Sequence, residues 1–192
     1  MKTSTKKTLV FVTILILVVV GLFALGKPNV NNDQEAAVVS KLPADGSALN
    51  FSLKSLEGET YTLEQFKGKN PVLIEFFAVW CSHCQNQTKV TTQVAEDNQE
   101  AGLITLGINA SPFGRFYTVG NNASVTENDL KWYRDQFGVK EPLLMDEGEV
   151  GQSYGLKGYP MFVLIDKNGK IVWSTSGEVG ASTLQAEIDK VL

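Results

Sequence analysis

The chain has 192 residues, 43% of them hydrophobic, and this size and composition allow one substantial core and therefore one globular domain. Its 17 basic and 21 acidic residues give a formal net charge of −4, and the part of the chain after its first three lysines is more acidic still. An acidic domain lacks the basic surface on which nucleic-acid binding depends, so nucleic-acid partners are excluded.

Residues 1–26 predict a short cytoplasmic stub followed by one transmembrane helix. From Thr8 to Gly26 the chain has no charged residue, and an apolar helix of this length just crosses a hydrocarbon core of roughly 30 Å. Three lysines precede it and, by the positive-inside rule, place the rest of the chain on the extracytoplasmic side of the cell membrane. Because Ala24-Leu25-Gly26 also suits a signal-peptide cleavage site, a secreted domain is an alternative.

Residues 27–48 have the composition of a flexible tether, with Asn, Asp, Pro and Gly and few large apolar residues. The domain is expected at residues 49–192. It begins with alternating apolar residues on either side of Glu57-Gly58, and this pattern predicts a short hairpin.

A β-α-β unit follows the hairpin. Residues 71–77 form a continuous apolar run, which predicts a strand buried on both faces of a central sheet. A helix from about residue 82 to residue 100 and a strand at 103–108 complete the unit, and the polar stretch 109–125 predicts an irregular inserted segment. The remaining predicted elements are a helix at 126–137, a strand at 143–145, a short helix at 150–154, a hairpin of 161–165 with 171–173, and a helix at 182–192. Strands alternating with helices predict an α/β fold.

The two cysteines of the chain, Cys81 and Cys84, lie where the buried strand gives way to the predicted helix. A helix N-terminus stabilises a thiolate because its backbone N–H groups are unpaired and its dipole end is positive. Cys81 is therefore predicted to be the attacking thiol. Cys84, one turn further along, is predicted to resolve the mixed disulfide, so that the pair forms a redox-active disulfide.

Other roles for the cysteine pair fit the sequence less well. A structural disulfide gains most from closing a long loop, and this loop is very short. Zinc needs about four ligands, whereas the chain has two cysteines and one histidine, so no metal site and no cofactor are expected. A chaperone that holds copper(I) between the two thiols is an alternative of a different class.

The run from Val72 to Cys84, followed far downstream by Gly158-Tyr159-Pro160, resembles the thioredoxin superfamily. The predicted anchor, hairpin and inserted segment resemble its membrane-tethered TlpA/ResA-like branch. The resemblance implies a thioredoxin-like fold, in which a central mixed sheet is flanked by helices. It also implies that Pro160 is the cis-proline that lies against the cysteines, and that the backbone of Tyr159 pairs with an extended substrate strand.

Two further residues take implied roles from this resemblance. Trp80 would shield the disulfide from one side. Glu75, a carboxylate inside an apolar strand, is costly to bury unless it is paired or protonated. It matches the buried acid that exchanges a proton with the resolving cysteine. ResA-type proteins also tend to carry a glutamate shortly after the second cysteine, and here Gln87 departs from that pattern.

His83 bears on the direction of electron flow. A cation beside the Cys81 thiolate stabilises the reduced form and makes the disulfide a stronger oxidant, so the motif favours oxidation or isomerisation. The TlpA/ResA-like architecture instead favours reduction. We therefore expect a membrane-anchored, extracytoplasmic thiol–disulfide oxidoreductase that acts on protein thiols and disulfides and has a membrane redox partner. A dedicated reductase for cytochrome c maturation is an alternative within this class.

Overall fold

The computed structural model describes residues 42–192. In chain order its elements are β1 (Ser52–Lys54), β2 (Thr60–Thr62), β3 (Val72–Phe77), α1 (Ser82–Gln99), β4 (Ile104–Asn109), α2 (Glu127–Phe137), β5 (Leu143–Met145), α3 (Glu149–Ser153), β6 (Met161–Ile165), β7 (Ile171–Ser176) and α4 (Ala181–Ile188). β1 and β2 form the predicted hairpin. The other five strands form one sheet in the order β5–β4–β3–β6–β7, in which β3 pairs in parallel with β4 and antiparallel with β6. The predicted α/β fold with a central mixed sheet is confirmed, although α4 ends at Ile188, before the predicted end of that helix.

The predicted stub and transmembrane helix lie outside the described residues, as does most of the predicted tether. Among residues 42–192 no helix is both long enough and apolar enough to span a membrane. The last part of the predicted tether contacts the domain, since Ser47 bridges to Lys170 and the Asp45 carboxylate lies 2.8 Å from the Nζ of that lysine. Contact with the domain therefore begins before residue 49.

The central strand β3 presents different side chains to the two faces of the sheet. All six of its residues are buried, and alternate residues of a strand point to opposite faces. Ile74 and Phe76 pack in the apolar cluster on the hairpin side. Leu73 and Phe77 pack on the other face, against side chains of α1, α4 and α2. Glu75 shares that second face, so the fold places one carboxyl group between the sheet and its helices.

Gly107 on β4 lies beside the residue that carries this carboxyl group. Gly107 and Glu75 are partners in the parallel pairing of β4 with β3. A Cβ on Gly107 would lie 2.6 Å from Cδ2 of Leu143, so a larger residue would force its neighbours apart. Leu143 therefore fills the space that a side chain at this position would need.

The inserted segment between β4 and α2 has little regular structure, as predicted. It contains isolated bridges of Phe113 with Ser124 and of Thr118 with Asn121. The start of α2 ties it down, because the Asp129 carboxylate that caps the helix also lies 3.4 Å from the Nε of Arg115. The segment is thus held next to the end of β3, where the cysteines lie.

Candidate active site

Both cysteines lie at the start of α1, as predicted, and both are free thiols in the structure. Cys81 is the N-cap residue of the helix, and its Sγ accepts a hydrogen bond from the backbone N–H of Cys84 at 3.3 Å. Cys81 is 6% exposed and Cys84 is fully buried. The accessible thiol is therefore Cys81, although it is more enclosed than the sequence suggested.

The structure gives the two thiols opposite acidities. The pKa of Cys81 is lowered to about 6, chiefly by a hydrogen bond from the Cys84 thiol, with further help from backbone N–H groups and from the charge of His83. Burial raises the pKa of Cys84 well above its ordinary value, and the hydrogen bond to Cys81 raises it further. At pH 7 roughly nine-tenths of Cys81 is a thiolate, whereas Cys84 keeps its proton.

The bond between Tyr159 and Pro160 is a cis peptide bond, and it lies against the cysteines. The Sγ of Cys81 is 3.8 Å from the carbonyl oxygen of Tyr159. The Tyr159 hydroxyl donates to the carbonyl oxygen of Ala110 at 2.7 Å, which fixes the ring beside the end of β4. The structure therefore places the backbone of Tyr159, the residue before the cis-proline, next to the Cys81 thiol.

Trp80 joins an aromatic cluster that the inserted segment supplies. Its indole N–H donates to Oγ of Ser111 at 2.8 Å. Its ring lies 5.0 Å from that of Tyr117 and meets the edge of Tyr159 at 5.8 Å. Phe113 in turn stacks on Tyr117 at 4.5 Å. Sequence reasoning missed Ser111 and Phe113, because no periodic pattern marks residues of an irregular segment.

Glu75 is buried beneath α1. Its side chain is 4% exposed, and its Oε1 has no hydrogen-bond partner among the described residues. Burial raises the pKa of Glu75 to about 8, an effect that the nearby Thr91 hydroxyl partly offsets and that the negative charges of Glu141 and Cys81 increase. The carboxyl group is therefore mostly protonated at neutral pH while Cys81 is a thiolate.

His83 forms an ion pair with a residue that is distant in the sequence, and no local pattern predicts this contact. Its Nδ1 lies 2.6 Å from Oε1 of Glu178, a residue 95 positions away that follows β7. The hydrogen bond that the imidazole donates to the Glu178 carboxylate raises the pKa of His83, and the negative charge of Glu178 acts in the same direction. The imidazole is exposed, so the pair is open to solvent.

Gln87, where the chain departs from ResA-type proteins, holds the loop that carries Glu178. Its side-chain amide donates to the carbonyl oxygen of Val179 at 3.0 Å and accepts from the N–H of Val179 at 2.7 Å. Gln87 is buried, and these two bonds satisfy both ends of its amide. The residue therefore positions the partner of His83 rather than acting as an acid.

A pair of thiols of opposite acidity, set at a helix start against a cis-proline and above a buried carboxyl group, defines a thioredoxin-like redox protein. Residues 45–174 match the model of the AhpC/TSA family, and the chain belongs to that family.

Individual relatives agree with this class. The chain is similar to the thiol-disulfide oxidoreductase ResA of Bacillus thuringiensis subsp. konkukian, with 25% identity over 97% of this chain and 98% of that protein. It is similar to the crystal structure of the exposed lipoprotein thioredoxin Etrx1 of Streptococcus pneumoniae, with a TM-score of 0.56, 26% identity, and coverage of 74% of this chain and 99% of that one.

The chain is also similar in fold to a thioredoxin-family thiol:disulfide interchange protein of Chlorobium tepidum, with a TM-score of 0.60, 18% identity, and coverage of 76% and 94% of the two chains. The predicted thioredoxin-like α/β fold of the domain, the resemblance to ResA-like proteins and the enzyme class, thiol–disulfide oxidoreductase, are confirmed.

Proposed function

We propose that the protein exchanges disulfides with protein substrates outside the cytoplasm, through a mixed disulfide on Cys81. The observation that carries this proposal is the opposite acidity of the two thiols. The Cys81 thiolate attacks one sulfur of a substrate disulfide, a bond forms from Cys81 to that sulfur, and the second substrate sulfur leaves as a thiolate that water protonates. Cys84 is held in reserve because it remains protonated.

Glu75 takes the proton that Cys84 must lose for the second step. The negative charge on Cys81 is one of the causes that raise the pKa of Glu75. Formation of the mixed disulfide removes that charge, so Glu75 releases its own proton to water, and the resulting carboxylate accepts the proton of Cys84. The Cys84 thiolate then attacks Cys81, the intramolecular disulfide forms, and the second substrate thiol is released. The substrate gains two electrons and the enzyme loses two.

The surface beside Cys81 suits an extended polypeptide. The backbone of Tyr159 pairs with the substrate next to its cysteine, while Trp80 and Tyr117 provide an aromatic wall on one side. Phe116, in the same inserted segment, is 69% exposed and adds apolar surface to which side chains of a partner can bind. These contacts depend on the backbone and on apolar groups, so the surface can bind substrates of many different sequences.

The proposed location rests on the amino-acid sequence. The uncharged stretch from Thr8 to Gly26 and the lysines before it support an N-terminal anchor with the redox domain outside the cytoplasm, where a membrane redox partner exchanges electrons with it. The match to a ResA protein over nearly the whole chain supports the same proposal.

The direction of electron flow follows from how strongly the protein stabilises the Cys81 thiolate. A pKa of about 6 for Cys81 lies between those of the attacking cysteines of thioredoxin, about 7, and DsbA, about 3.5. We expect a reduction potential between those of the same two proteins, about −270 and −120 mV, measured by equilibration with glutathione. A value at or below that of thioredoxin would contradict the stabilising role of His83.

Catalysed reduction of insulin by dithiothreitol tests the proposed activity. Wild-type protein is expected to accelerate the reaction, and both Cys81→Ser and Cys84→Ser are expected to abolish catalysis. Glu96→Gln, which changes an exposed carboxylate of α1, is the matched control and is expected to leave the rate unchanged. Inactive wild-type protein that retains copper after purification would favour the copper-binding alternative. Among residues 42–192 no group of three or more metal-ligating side chains occurs.

A further inference from the structure

Glu75 must exchange its proton with water, yet it is almost completely enclosed. The proposed reaction protonates and deprotonates this carboxyl group in every cycle, whereas its side chain is only 4% exposed. Its Oε1 lacks a hydrogen-bond partner among the described residues, so one of its oxygens is free to bind a water molecule.

A small cavity begins at this carboxyl group. It has a volume of about 10 Å³, close to the space that a single water molecule requires. Its polar lining consists of Glu75, Thr88, Tyr133 and Glu141. The hydroxyl groups of Thr88 and Tyr133 hydrogen-bond to each other at 2.6 Å. Gly107 also lines the cavity, and a side chain at that position would reduce it.

Glu141 lies between this cavity and the surface. It is partly buried, and its Oε2 accepts hydrogen bonds from Oγ1 of Thr92 at 3.0 Å and from the backbone N–H of Lys140 at 3.2 Å. Besides the inner cavity, Glu141 lines two open depressions on the outside of the domain, with volumes of about 330 and 340 Å³. One side chain therefore borders both the enclosed site and bulk water.

We propose that Glu141 carries protons between bulk water and Glu75, through one water molecule in the cavity between them. This inference rests on the proposed function. When Glu75 has accepted the proton of Cys84, the proton passes to the cavity water, a proton of that water passes to Glu141, and Glu141 releases it to the surface. No net charge accumulates, and the path runs in reverse when the enzyme is reduced again.

The surroundings of Glu141 suit this role. Burial raises the pKa of Glu141. The shift is towards neutral pH, and a group that carries protons is most effective when its pKa is close to the working pH. The charge of Glu96 on α1 acts in the same direction. Titratable and charged groups surround Glu141 on both sides. Those that line the outer depressions are Glu57, Glu59, Tyr61, Glu96, Arg134 and Lys140. Those that interact with Glu75 on the inner side are Cys81, Cys84, Tyr133 and Glu141.

Three variants separate proton transfer from a merely structural role. Glu141→Gln keeps an oxygen that can accept from Thr92 but cannot carry a proton. Thr92→Val removes the hydrogen bond between α1 and Glu141 while leaving the carboxyl group in place. Glu96→Gln removes a negative charge near Glu141 and serves as the control for electrostatics.

Single-turnover kinetics with an oxidised protein substrate measures attack by Cys81 and resolution by Cys84 as separate phases. We expect Glu141→Gln to slow resolution at least about tenfold at pH 7 and to leave attack unchanged, in line with the usual contribution of a positioned acid or base. Added formate or acetate should restore the rate in proportion to its concentration, because a small acid can enter the outer depressions. Thr92→Val and Glu96→Gln should resolve within about twofold of the wild-type rate.

Two results would overturn the inference. One is resolution by Glu141→Gln at the wild-type rate. The other is slow resolution that small acids do not restore and that Thr92→Val reproduces, which would show that Glu141 only ties α1 to the chain before β5. If wild-type protein itself forms no mixed disulfide, the proposed function fails, and the absence of the attack phase distinguishes that failure from the failure of Glu141 alone.

Discussion

The buried carboxyl group of Glu75 makes the stability of the protein depend on pH in a direction that Glu75→Gln should abolish. Burial raises the pKa of Glu75 from an ordinary 4.5 to about 8 in the folded protein. Between these two values the folded chain holds a proton that the unfolded chain has lost. The free energy of unfolding therefore falls as the pH rises through this window, by up to about 1.4 kcal/mol per pH unit.

The size of the effect follows from the width of the window. Between pH 5 and pH 7 the contribution of Glu75 to stability decreases by about 2.5 kcal/mol, and above pH 8 the whole decrease amounts to about 5 kcal/mol. Glutamine has almost the same shape and cannot ionise. Its buried amide leaves a polar group without a partner, which costs about 1–3 kcal/mol at every pH. The variant is thus expected to be less stable than wild type at pH 5 and to match or exceed it at pH 8.

Urea unfolding of the reduced proteins at fixed pH values from 5 to 8 measures this difference. Other titrating groups, including Cys81 and His83, are present in both proteins, so their contributions largely cancel in the difference. Glu96→Gln, which replaces an exposed carboxylate of α1 by an amide, is the matched control for the substitution itself. A difference between wild type and Glu75→Gln that stays constant within about 0.5 kcal/mol would refute the assignment of a neutral, buried carboxyl group.

Three further predictions concern the residues around the site. The thiolate absorbance of Cys81 should titrate with a midpoint near pH 6, and Cys84→Ala should raise that midpoint by removing the hydrogen bond that contributes most; an unchanged midpoint would assign the stabilisation to the backbone N–H groups and the charge of His83. Glu178→Gln should lower the pKa of His83, measured by NMR, and also lower the reduction potential, whereas a change in neither would separate this exposed pair from the redox centre. Gly107→Ala should reduce the free energy of unfolding by about 1–3 kcal/mol, because its Cβ would lie 2.6 Å from Leu143; a stability equal to wild type in urea would show that Leu143 moves aside freely.

The parts of the site that the sequence could predict are those that local patterns encode. Strand β3, the helix after it and the two cysteines follow one another along the chain. One physical rule relates them, because a helix N-terminus stabilises a thiolate. Pro160 and Glu75 were added by the resemblance to a family. Because Glu75 is buried, its carboxyl group lies inside the domain near the site and does not face solvent at the end of the strand.

The remaining residues became visible only through contacts between distant segments. Glu178 pairs with His83, which lies 95 positions away in the sequence. Gln87 donates a hydrogen bond to the backbone carbonyl oxygen of Val179, which lies 92 positions away. Glu141 lies just before a short strand, where its sequence surroundings look like those of any exposed loop acid. Its proposed role depends on the cavity that Glu75, Gly107 and Glu141 line together, and sheet pairing alone brings Gly107 to Glu75. Contacts between residues that are distant in the chain produce no periodic pattern in its sequence.

In the proposed reaction Cys81 attacks and Cys84 resolves, and measuring the intact mass of Cys84→Ala after incubation with an oxidised protein substrate tests this division of roles. We expect a stable one-to-one adduct that dithiothreitol removes and that peptide mapping assigns to Cys81. The matched variant Cys81→Ala, which keeps Cys84, should form no adduct because that thiol is buried and remains protonated. Equal adduct formation by the two variants, or none by Cys84→Ala, would contradict the account.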